Sequence, residues 1–508
     1  MTFYVSIIIV ILFVLWGIVA PAHLSDTATA ALGFTTSTFG WFYLLVTFGF
    51  LIFCIYLAFS KYGHIRLGSD DDEPEYSSFT WFAMLFSAGM GIGLVFWGVA
   101  EPLSHYYSPP LGIPAGTADA ARAALRYSFF HWGLHPWAIY SVIALVLAYF
   151  QYRKGAPGLV SATFSPLIGE KVNGPIGNLI DILAIIATAF GVATSLGLGT
   201  LQINGGLTHL FNIPHNTTVQ IIIIAVTTVL YLVSATTGLD RGIKVLSNSN
   251  LLVASGLLVL TLLFGPTAFL FENFTTTLGS YLQNLIQMSL QLTPFSQNPW
   301  VTNWTLFYWA WWIAWAPFVG TFIARVSRGR TIKEFVIGVL LVPSLLSCVW
   351  FTVFGGTGLY FEIFDKIPIG TAVQEDITSA LFITLEHLPL GTIISALATL
   401  LIITFFITSA DSATFVLGMF STKGNLDPST KVKLTWGILQ ALIAVVLLLS
   451  GGLQGLQTAS IVAALPFTVI MILMCVSLRK ALAAEERVFR KAAKERQKKL
   501  DKLLEQEK

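Results

Sequence analysis

The chain has 508 residues, of which 55% are hydrophobic and 11% are charged. A soluble domain carries roughly a quarter charged residues. The composition therefore excludes a soluble globular protein and predicts an all-α polytopic membrane protein. Its small net charge of +2 gives no reason to expect a nucleic-acid partner, and three cysteines scattered through apolar runs exclude a disulfide framework.

Twelve apolar stretches are long enough to cross a membrane, since a spanning helix needs about 20 residues. The first lacks a basic leader and a convincing cleavage site, so we interpret it as a span rather than a signal peptide. The predicted spans, in chain order, are 3–22, 40–60, 79–101, 127–151, 178–202, 217–237, 249–271, 303–325, 334–356, 390–414, 432–450 and 457–478.

Positive charge is distributed unevenly between the loops that join these spans. An even number of spans puts both termini on one side, and positive residues concentrate on the cytoplasmic side of membrane proteins. If the termini are inside, only Arg122, Arg126 and Lys366 of the 28 Lys and Arg residues fall in outer loops. The pattern predicts a multi-pass cell-membrane protein with both termini in the cytoplasm.

A glycine-rich motif, Gly89-Met90-Gly91-Ile92-Gly93, interrupts the third span at its middle. A helix broken at this depth is tolerated where it lines a cavity, and its freed backbone groups then bind substrates and ions. Small residues also let two helices pack closely without any site. The glycines alone are consistent with both interpretations.

Aromatic residues cluster in the fourth and eighth spans, at His131–Tyr140 and Tyr308–Trp315. Within the second cluster, Tyr308, Trp312 and Trp315 recur at i, i+4 and i+7, which is one helical face. Trp and Tyr belts at membrane interfaces serve only as anchors. Several π faces around a cavity would instead bind a quaternary ammonium group, which has no N–H to donate. The residues leave both interpretations open.

Polar groups near the ends of two spans are further candidates. Thr408 and Ser409 carry adjacent hydroxyls, which are suitable oxygen ligands for Na⁺ but also commonly bond back to their own helix. Asp411 and Glu101 are carboxylates for which a functional role is the first hypothesis, with helix capping or an ion pair as the alternative.

The sequence carries no sign of an enzyme. It has no phosphate-binding loop, no histidines and cysteines at metal-ligand spacing and no convincing nucleophile triad. His131 and His135 are four residues apart, but they lack the acidic partner of a zinc-protease helix. We therefore predict that the protein is not an enzyme.

Two segments outside the spans have a composition of their own. Residues 272–298 read either as an amphipathic surface helix or as an ordered loop, because Leu282, Leu285, Ile286 and Leu290 recur at helical spacing. Residues 479–508 carry eleven basic and six acidic side chains. They suit a solvated helix beside anionic lipids, with a plain solubilising tail as the alternative.

The motifs of spans three, four and eight together resemble the betaine/carnitine/choline transporters. The resemblance rests on Gly89–Gly93, on His131–Tyr140 and on Tyr308–Arg330, and it extends over about residues 3–478. It implies a LeuT-like core of two inverted five-helix repeats and a homotrimer. The implied units are two peripheral helices in 1–78, the first repeat in 79–271, a surface helix or loop in 272–302, the second repeat in 303–478 and a charged tail in 479–508.

The resemblance also implies a substrate site. Its aromatic box for the trimethylammonium group corresponds to Trp132, Trp137, Tyr140 and Trp312, with Trp315 as a neighbouring binding or gating residue. Backbone groups of Gly89, Met90, Gly91 and Gly93 would meet the substrate carboxylate.

Two sodium sites follow from the same resemblance. One corresponds to Ser87, Met90, Phe405, Thr408 and Ser409. The other uses two threonines one turn apart and a phenylalanine. Thr188 and Phe318 match it, but the second threonine position holds Val192. This departure weakens the case for a second sodium site, with Thr194 or Ser195 as replacement ligands.

The choice within the family rests on two absences from the sequence. Proton-coupled choline members place an acid where this chain has Gly93, and sodium-independent exchangers carry a basic residue, whereas no Lys or Arg occurs from Asp181 through Asp240. We therefore predict sodium symport of glycine betaine for osmoprotection, with Na⁺ as the coupling ion and no cofactor. The alternative is a choline or carnitine transporter, proton-coupled or exchanging. A channel is disfavoured because no span shows a continuous polar stripe.

Overall fold

A computed structural model describes residues 1–89, 91–237, 240–296 and 298–506, and within these ranges the chain is almost entirely helical. The α-helices are α1 (Thr2–Val19), α2 (Pro21–Phe59), α3 (Ser78–Gly89), α4 (Ile92–Tyr107), α5 (Ala118–Trp132), α6 (Leu134–Ala148), α7 (Ser165–Ile168), α8 (Pro175–Phe211), α9 (Thr217–Thr237), α10 (Asp240–Phe264), α11 (Thr267–Ser289), α12 (Phe307–Val326), α13 (Ile332–Trp350), α14 (Gly356–Ile363), α15 (Ile369–Glu375), α16 (Ser379–Glu386), α17 (Gly391–Ser421) and α18 (Thr430–Gln506). Short π-helical turns occupy Tyr149–Arg153, Thr302–Leu306 and Phe351–Gly355, and 3₁₀ turns occupy Ser161–Phe164 and Gly169–Asn173.

Ten helical segments of the described chain are long and apolar enough to cross a membrane. They are Thr2–Val19, Pro21–Phe59, Ala118–Arg153, Pro175–Phe211, Thr217–Thr237, Val245–Phe264, Thr302–Val326, Ile332–Ile363, Gly391–Ser421 and Thr430–Lys491. The prediction of an all-α polytopic membrane protein is confirmed. Ten segments differ from twelve predicted spans because the third span is divided between α3 and α4, and the last two lie within α18.

The third span is divided where the glycine motif predicted a break. α3 ends at Gly89, and Gly91 is extended, with φ −157° and ψ −176°, before α4 begins at Ile92. A second interruption, at Gly133, separates α5 from α6. Added at this glycine, a Cβ would lie 2.5 Å from the carbonyl oxygen of Phe129 and 2.9 Å from the hydroxyl of Tyr281. The contact geometry therefore requires a glycine at the second break.

The core of the bundle is built from α6, α8 and α12, whose side chains are mostly buried. In contrast, α1, α9 and α10 expose large apolar residues along one face, among them Leu12, Val229 and Leu263. A central helix that is apolar on all sides packs against other helices, whereas a peripheral helix with an exposed apolar face is suited to contact with lipid.

The segment 272–298, predicted as either a surface helix or a loop, is helical only as far as Ser289, as part of α11, which begins at Thr267 within the predicted seventh span. Leu282 and Ile286 on this helix are exposed, whereas Tyr281 is buried, and its hydroxyl accepts a hydrogen bond from the backbone N–H of Leu134 at 3.1 Å. α11 thus packs on the α5–α6 junction with one face and leaves an apolar face outward.

The charged tail does not begin a new element, because α18 continues through residue 479 to Gln506. Its carboxylate Glu485 pairs with the guanidinium of Arg153, with the ammonium of Lys154 at 2.6 Å and with the hydroxyl of Tyr149 at 2.6 Å. Arg153 also reaches Asp70 at 2.7 Å. The first turns of the tail are therefore attached to the π-helical turn that follows α6.

Candidate functional site

One cavity of about 480 Å³ collects most of the side chains singled out by the sequence. From the predicted substrate set, it is lined by Gly91, Gly93, Trp132, Trp137, Tyr140, Trp312 and Trp315. From the predicted sodium sets, it is lined by Ser87, Phe405, Thr408, Ser409 and Phe318. The cavity extends away from the aromatic residues toward Arg325 and Lys433, so it reaches one end of the bundle.

The aromatic residues stand at steep angles to one another. The ring of Trp312 lies 4.8 Å from that of Trp132 at 79°, and 5.9 Å from that of Tyr140 at 83°. Tyr140 and Trp137 are 5.5 Å apart at 80°. Rings at such angles form the walls of a box rather than a stack, and several π faces directed at one space attract a cation.

Hydrogen bonds from the indole N–H groups fix these walls. Trp132 donates to the Oε2 atom of Glu101 at 2.8 Å, and Trp312 donates to the carbonyl of His131 at 3.0 Å. Trp315 donates to the carbonyl of Gly191 at 2.6 Å. With its N–H fixed, each ring presents its π face in a set direction, which reduces the entropy lost on binding.

The break at Gly133 explains how the fourth span supplies three walls. Trp132 ends α5, while Trp137 and Tyr140 lie in the first turns of α6. Residues five apart on a straight helix point about 140° away from each other. The interruption reorients α6, so that all three rings reach the same cavity.

The cavity-lining hydroxyls of the first predicted sodium site are close to oxygen and nitrogen partners on two helices. The Oγ1 atom of Thr408 lies 3.0 Å from the carbonyl of Thr404 and 3.2 Å from that of Phe405. It also accepts a hydrogen bond at 3.4 Å from the amide of Asn250 on α10. These oxygen atoms are the hard ligands that Na⁺ requires, although the threonine hydroxyl is engaged with its own helix here. Met90, predicted for the substrate site and for the first sodium site, lies outside the described residues.

The second predicted sodium set is only partly at the cavity. Phe318 lines it, whereas Thr188 is fully buried and its hydroxyl bonds the carbonyl of Ala184 at 2.7 Å. Of the two suggested replacements for Val192, Ser195 lines the cavity. Thr194 instead hydrogen-bonds to the carbonyl of Leu456 and the hydroxyl of Ser460 on α18. Ser195 is thus the better placed replacement.

Several residues at the site were missed by the sequence analysis. Trp311 lines the cavity and stacks on Trp312 at 4.9 Å and 18°, and Asn250 reaches Thr408 from α10. Trp311 belongs to the aromatic cluster Tyr308–Trp315, but it is not on the helical face shared by Tyr308, Trp312 and Trp315. Conversely, Tyr308 was on that face, yet it lies behind the box, stacked on Trp312 at 6.1 Å and 17°.

Glu101 does not cap a helix, because it lies within α4, where it is fully buried. Its ligand atoms and those of His105 and His131 all lie within 4.8 Å of one another. The sequence analysis found no histidines at metal-ligand spacing and did not predict this grouping, because its members come from two different helices. Both histidines are hydrogen-bonded to the Oε1 atom of Glu101, His131 at 2.7 Å and His105 at 3.2 Å.

Comparison with known proteins agrees with this architecture. The profile described as betaine/carnitine/choline family transporter matches residues 1–487. The glycine betaine transporter OpuD of Bacillus subtilis (strain 168) is 53% identical over 495 residues, which is 97% of this chain and 96% of that protein. The ectoine/hydroxyectoine transporter of Virgibacillus pantothenticus is 50% identical over 486 residues, 96% of this chain and 97% of that protein. A probable glycine betaine transporter of Desulfitobacterium hafniense (strain Y51) is 47% identical over 485 residues, 95% and 97% of the two chains. The chain belongs to the betaine/carnitine/choline transporter family.

Proposed function

We propose that this protein is a secondary active transporter that imports glycine betaine together with Na⁺ for osmoprotection. The aromatic box of Trp132, Trp137, Tyr140 and Trp312 is the observation that carries the proposal, because a trimethylammonium group can be held by π faces but not by hydrogen bonds. The relative that is 53% identical along nearly the whole chain is named as a glycine betaine transporter. We propose no enzymatic activity.

Coupling to Na⁺ is proposed from the oxygen-bearing side of the same cavity. Ser87, Phe405, Thr408 and Ser409 line the same cavity as the box, so an ion and a substrate would share one space. The extended backbone at Gly91 interrupts the helix beside this space, and such interruptions are where transporters expose peptide groups to substrates and ions. Na⁺ would be transported with the substrate rather than retained as a cofactor.

We further propose twelve crossings, with both termini in the cytoplasm. A straight helix of the length of α18, 77 residues, would run about 115 Å, far beyond the roughly 30 Å of a bilayer core. Its backbone leaves the helical region at Gly452, with φ 54° and ψ −134°. This divides it into an arm of membrane length before Gly452 and a longer arm after it, which has room for a second crossing and the charged tail. With the split third span, this restores the count of twelve and supports inverted repeats in residues 79–271 and 303–478.

Association into a homotrimer and contact with anionic lipids are also proposed. The exposed apolar face of α11, with Leu282 and Ile286, is a surface that a second copy of the chain would cover. The basic tail beyond residue 479 is suited to an anionic inner leaflet.

A second candidate substrate is ectoine, since a relative 50% identical to this chain is named an ectoine/hydroxyectoine transporter. Choline and carnitine are further candidates, because both carry a trimethylammonium group that the box would accept. Choline ends in a hydroxyl instead of a carboxylate, carnitine has a longer, hydroxylated spacer, and ectoine has a cyclic amidinium in place of the trimethylammonium group, so competition experiments separate them.

The test is uptake of labelled glycine betaine by the purified protein in liposomes, with a Na⁺ gradient or with K⁺ in its place. We expect saturable uptake that requires Na⁺ and is inhibited by unlabelled glycine betaine more than by ectoine, choline, carnitine or proline. Equal uptake in K⁺ would refute sodium symport, and stronger inhibition by another compound would reassign the substrate.

A further inference from the structure

A single buried carboxylate lies directly behind the aromatic box. Glu101 on α4 is fully buried, and its two oxygens accept four hydrogen bonds. Oε2 accepts from the indole of Trp132 at 2.8 Å and from the hydroxyl of Tyr308 at 2.5 Å. Oε1 is bonded to the imidazoles of His131 at 2.7 Å and His105 at 3.2 Å. The carboxylate thus joins three helices around the box.

All the hydrogen bonds around Glu101 are satisfied when its carboxylate is ionised and both histidines are neutral, an arrangement with a net negative charge. An indole N–H can only donate, so it requires an accepting oxygen on Glu101. If Nδ1 of His131 donates to Glu101, its Nε2 accepts from the hydroxyl of Thr305 at 3.0 Å, and a neutral ring satisfies both contacts. His105 needs only a proton on Nε2. In the described chain, the ion-pair partners of Glu101 are these two histidines, with no Lys or Arg among them.

The charge is one ring away from the cavity. Trp132 contacts Glu101 through its N–H and lines the cavity with its face. Tyr308, bonded to the same oxygen, stacks under Trp312, another cavity wall. Hydrogen bonding to an anion increases the electron density of an aromatic ring. A charge buried among apolar rings is also screened much less than one in water.

We propose that Glu101 is a specificity-determining residue, whose negative charge makes the aromatic box select a cationic headgroup over a neutral one of the same shape. The inference rests on the proposed function, because it assumes that a trimethylammonium group occupies the box. Glu101 acts through Trp132 and Tyr308 and does not line the cavity itself.

The test compares glycine betaine with 3,3-dimethylbutanoate, in which carbon replaces the ammonium nitrogen and the shape is retained. In the parent protein, we expect glycine betaine to bind at least tenfold more tightly than this neutral-headed isostere. Glu101→Gln retains the shape of the side chain and removes its charge. In this variant, we expect betaine affinity to fall about tenfold, roughly 1.4 kcal/mol, while the affinity for the isostere changes less than threefold.

A purely structural role of Glu101 would weaken both ligands equally, and that result would overturn the proposal. Glu101→Asp, which keeps the charge, should retain the preference for betaine even if both ligands bind more weakly. Glu272→Gln, the same change at an exposed position on α11, should alter neither affinity.

The parent protein provides a test that needs no folded variant. If it binds glycine betaine and the isostere equally well, the inference fails while the proposed substrate stands. If it binds neither, the proposed function fails, and the role assigned to Glu101 fails with it.

Discussion

At the scale of single residues, the indole rings of the box combine a π face toward the cavity with an N–H bond away from it. Trp312 is in contact with three other cavity walls, since it meets Trp132 and Tyr140 at steep angles and stacks on Trp311. Its N–H is bonded to the carbonyl of His131. The side chain is therefore placed so that, in the proposed site, it would both attract a cation and hold the box rigid.

Trp312→Leu should weaken glycine betaine binding by about 0.5–2 kcal/mol, or roughly 2- to 30-fold, because it removes the π face and retains an apolar side chain. Trp312→Phe keeps a face but loses the N–H bond, and its affinity should fall between those of the parent and the leucine variant. Equilibrium binding to the purified protein measures both.

Trp41→Leu is the matched control, since Trp41 is exposed on α2. It should bind as the parent does. If a correctly inserted Trp312→Leu variant also bound betaine with unchanged affinity, Trp312 would have no place in the substrate site.

The hydroxyls of α17 give a prediction about coupling. Thr408→Ala combined with Ser409→Ala should raise the Na⁺ concentration for half-maximal uptake far more than it alters substrate affinity at saturating Na⁺. Linkage requires the reciprocal effect, so Na⁺ should tighten betaine binding in the parent and do so less in the variant.

Thr404→Ala is the control for this pair, because the hydroxyl of Thr404, one turn earlier, bonds the carbonyl of Leu400 at 2.9 Å. Its Na⁺ dependence should match that of the parent. The same Na⁺ dependence in the double variant would show that the hydroxyls of Thr408 and Ser409 do not bind the coupling ion.

At the scale of helices, the two breaks that shape the cavity differ in how well they could be predicted. Three alternating glycines within Gly89–Gly93 predicted the first, because glycine weakens a helix and clusters of it are rare without a reason. Gly133 is a lone glycine in an apolar run. The need for it arises from contacts with Phe129 and Tyr281, which no local pattern reveals.

Residue spacing in the predicted eighth span also gave only part of the arrangement. Spacing showed that Tyr308, Trp312 and Trp315 share a face, but only packing determines which part of that face meets the cavity. The π-helical turn Thr302–Leu306 precedes α12, and Trp311 lines the cavity in place of Tyr308. The convergence of Glu101 with His131 was equally inaccessible, because it depends on the packing of two helices.

The short helices α15 and α16 are joined to the α8–α9 corner by ion pairs. Nδ1 of His215 lies 3.0 Å from the carboxylate of Asp376, and Nε2 of His209 lies 3.6 Å from that of Glu386. The hydrogen bond to Asp376 raises the pKa of His215 above 6.5, although partial burial opposes it. Burial would raise the pKa of Asp376, but hydrogen bonds from His215 and Thr378 outweigh it and lower that pKa below 3.8.

The pH dependence of stability follows from these directions. A raised histidine pKa contributes stability that is complete below pH 6.5 and is lost as the pH rises through the folded-state value. The lowered pKa of Asp376 contributes stability above pH 3.8 that is lost on further acidification. Thermal unfolding in detergent should therefore show the parent losing stability from pH 6.5 upward, by a modest amount because both groups are partly exposed to solvent.

His215→Gln should reduce this loss of stability between pH 6.5 and 8.5. His387→Gln, at an exposed position following α16, serves as the control and should retain the pH dependence of the parent. A His215→Gln protein whose unfolding temperature followed the same pH profile as the parent would show that the pair contributes nothing measurable.

At the scale of the whole molecule, charge and hydropathy predicted a helical membrane protein well, since lipid requires every backbone group to be bonded within a helix. They could not predict that the tail is continuous with the last span and attached through Glu485 to Arg153 and Lys154. That attachment depends on contacts between residues more than 300 positions apart.

The attachment refines a prediction about regulation. Water loss raises internal salt and shortens the Debye length below its physiological value of about 8 Å. The tail from residue 479 has eleven basic and six acidic residues, and each basic residue near an anionic leaflet contributes about 1 kcal/mol that depends on salt. We hypothesise that the tail moves between membrane-bound and free positions and thereby changes transport activity.

Truncation after Arg490 tests this, because it removes the distal basic residues and keeps the contacts of Glu485. In liposomes with anionic lipid, uptake by the full-length protein should rise with internal osmolality, and uptake by the truncated protein should stay constant. Liposomes without anionic lipid should abolish the difference between the two proteins. If uptake by the truncated protein still rises as in the full-length protein, the distal tail is not the sensor, and osmotic control acts elsewhere, for instance through the amount of protein made.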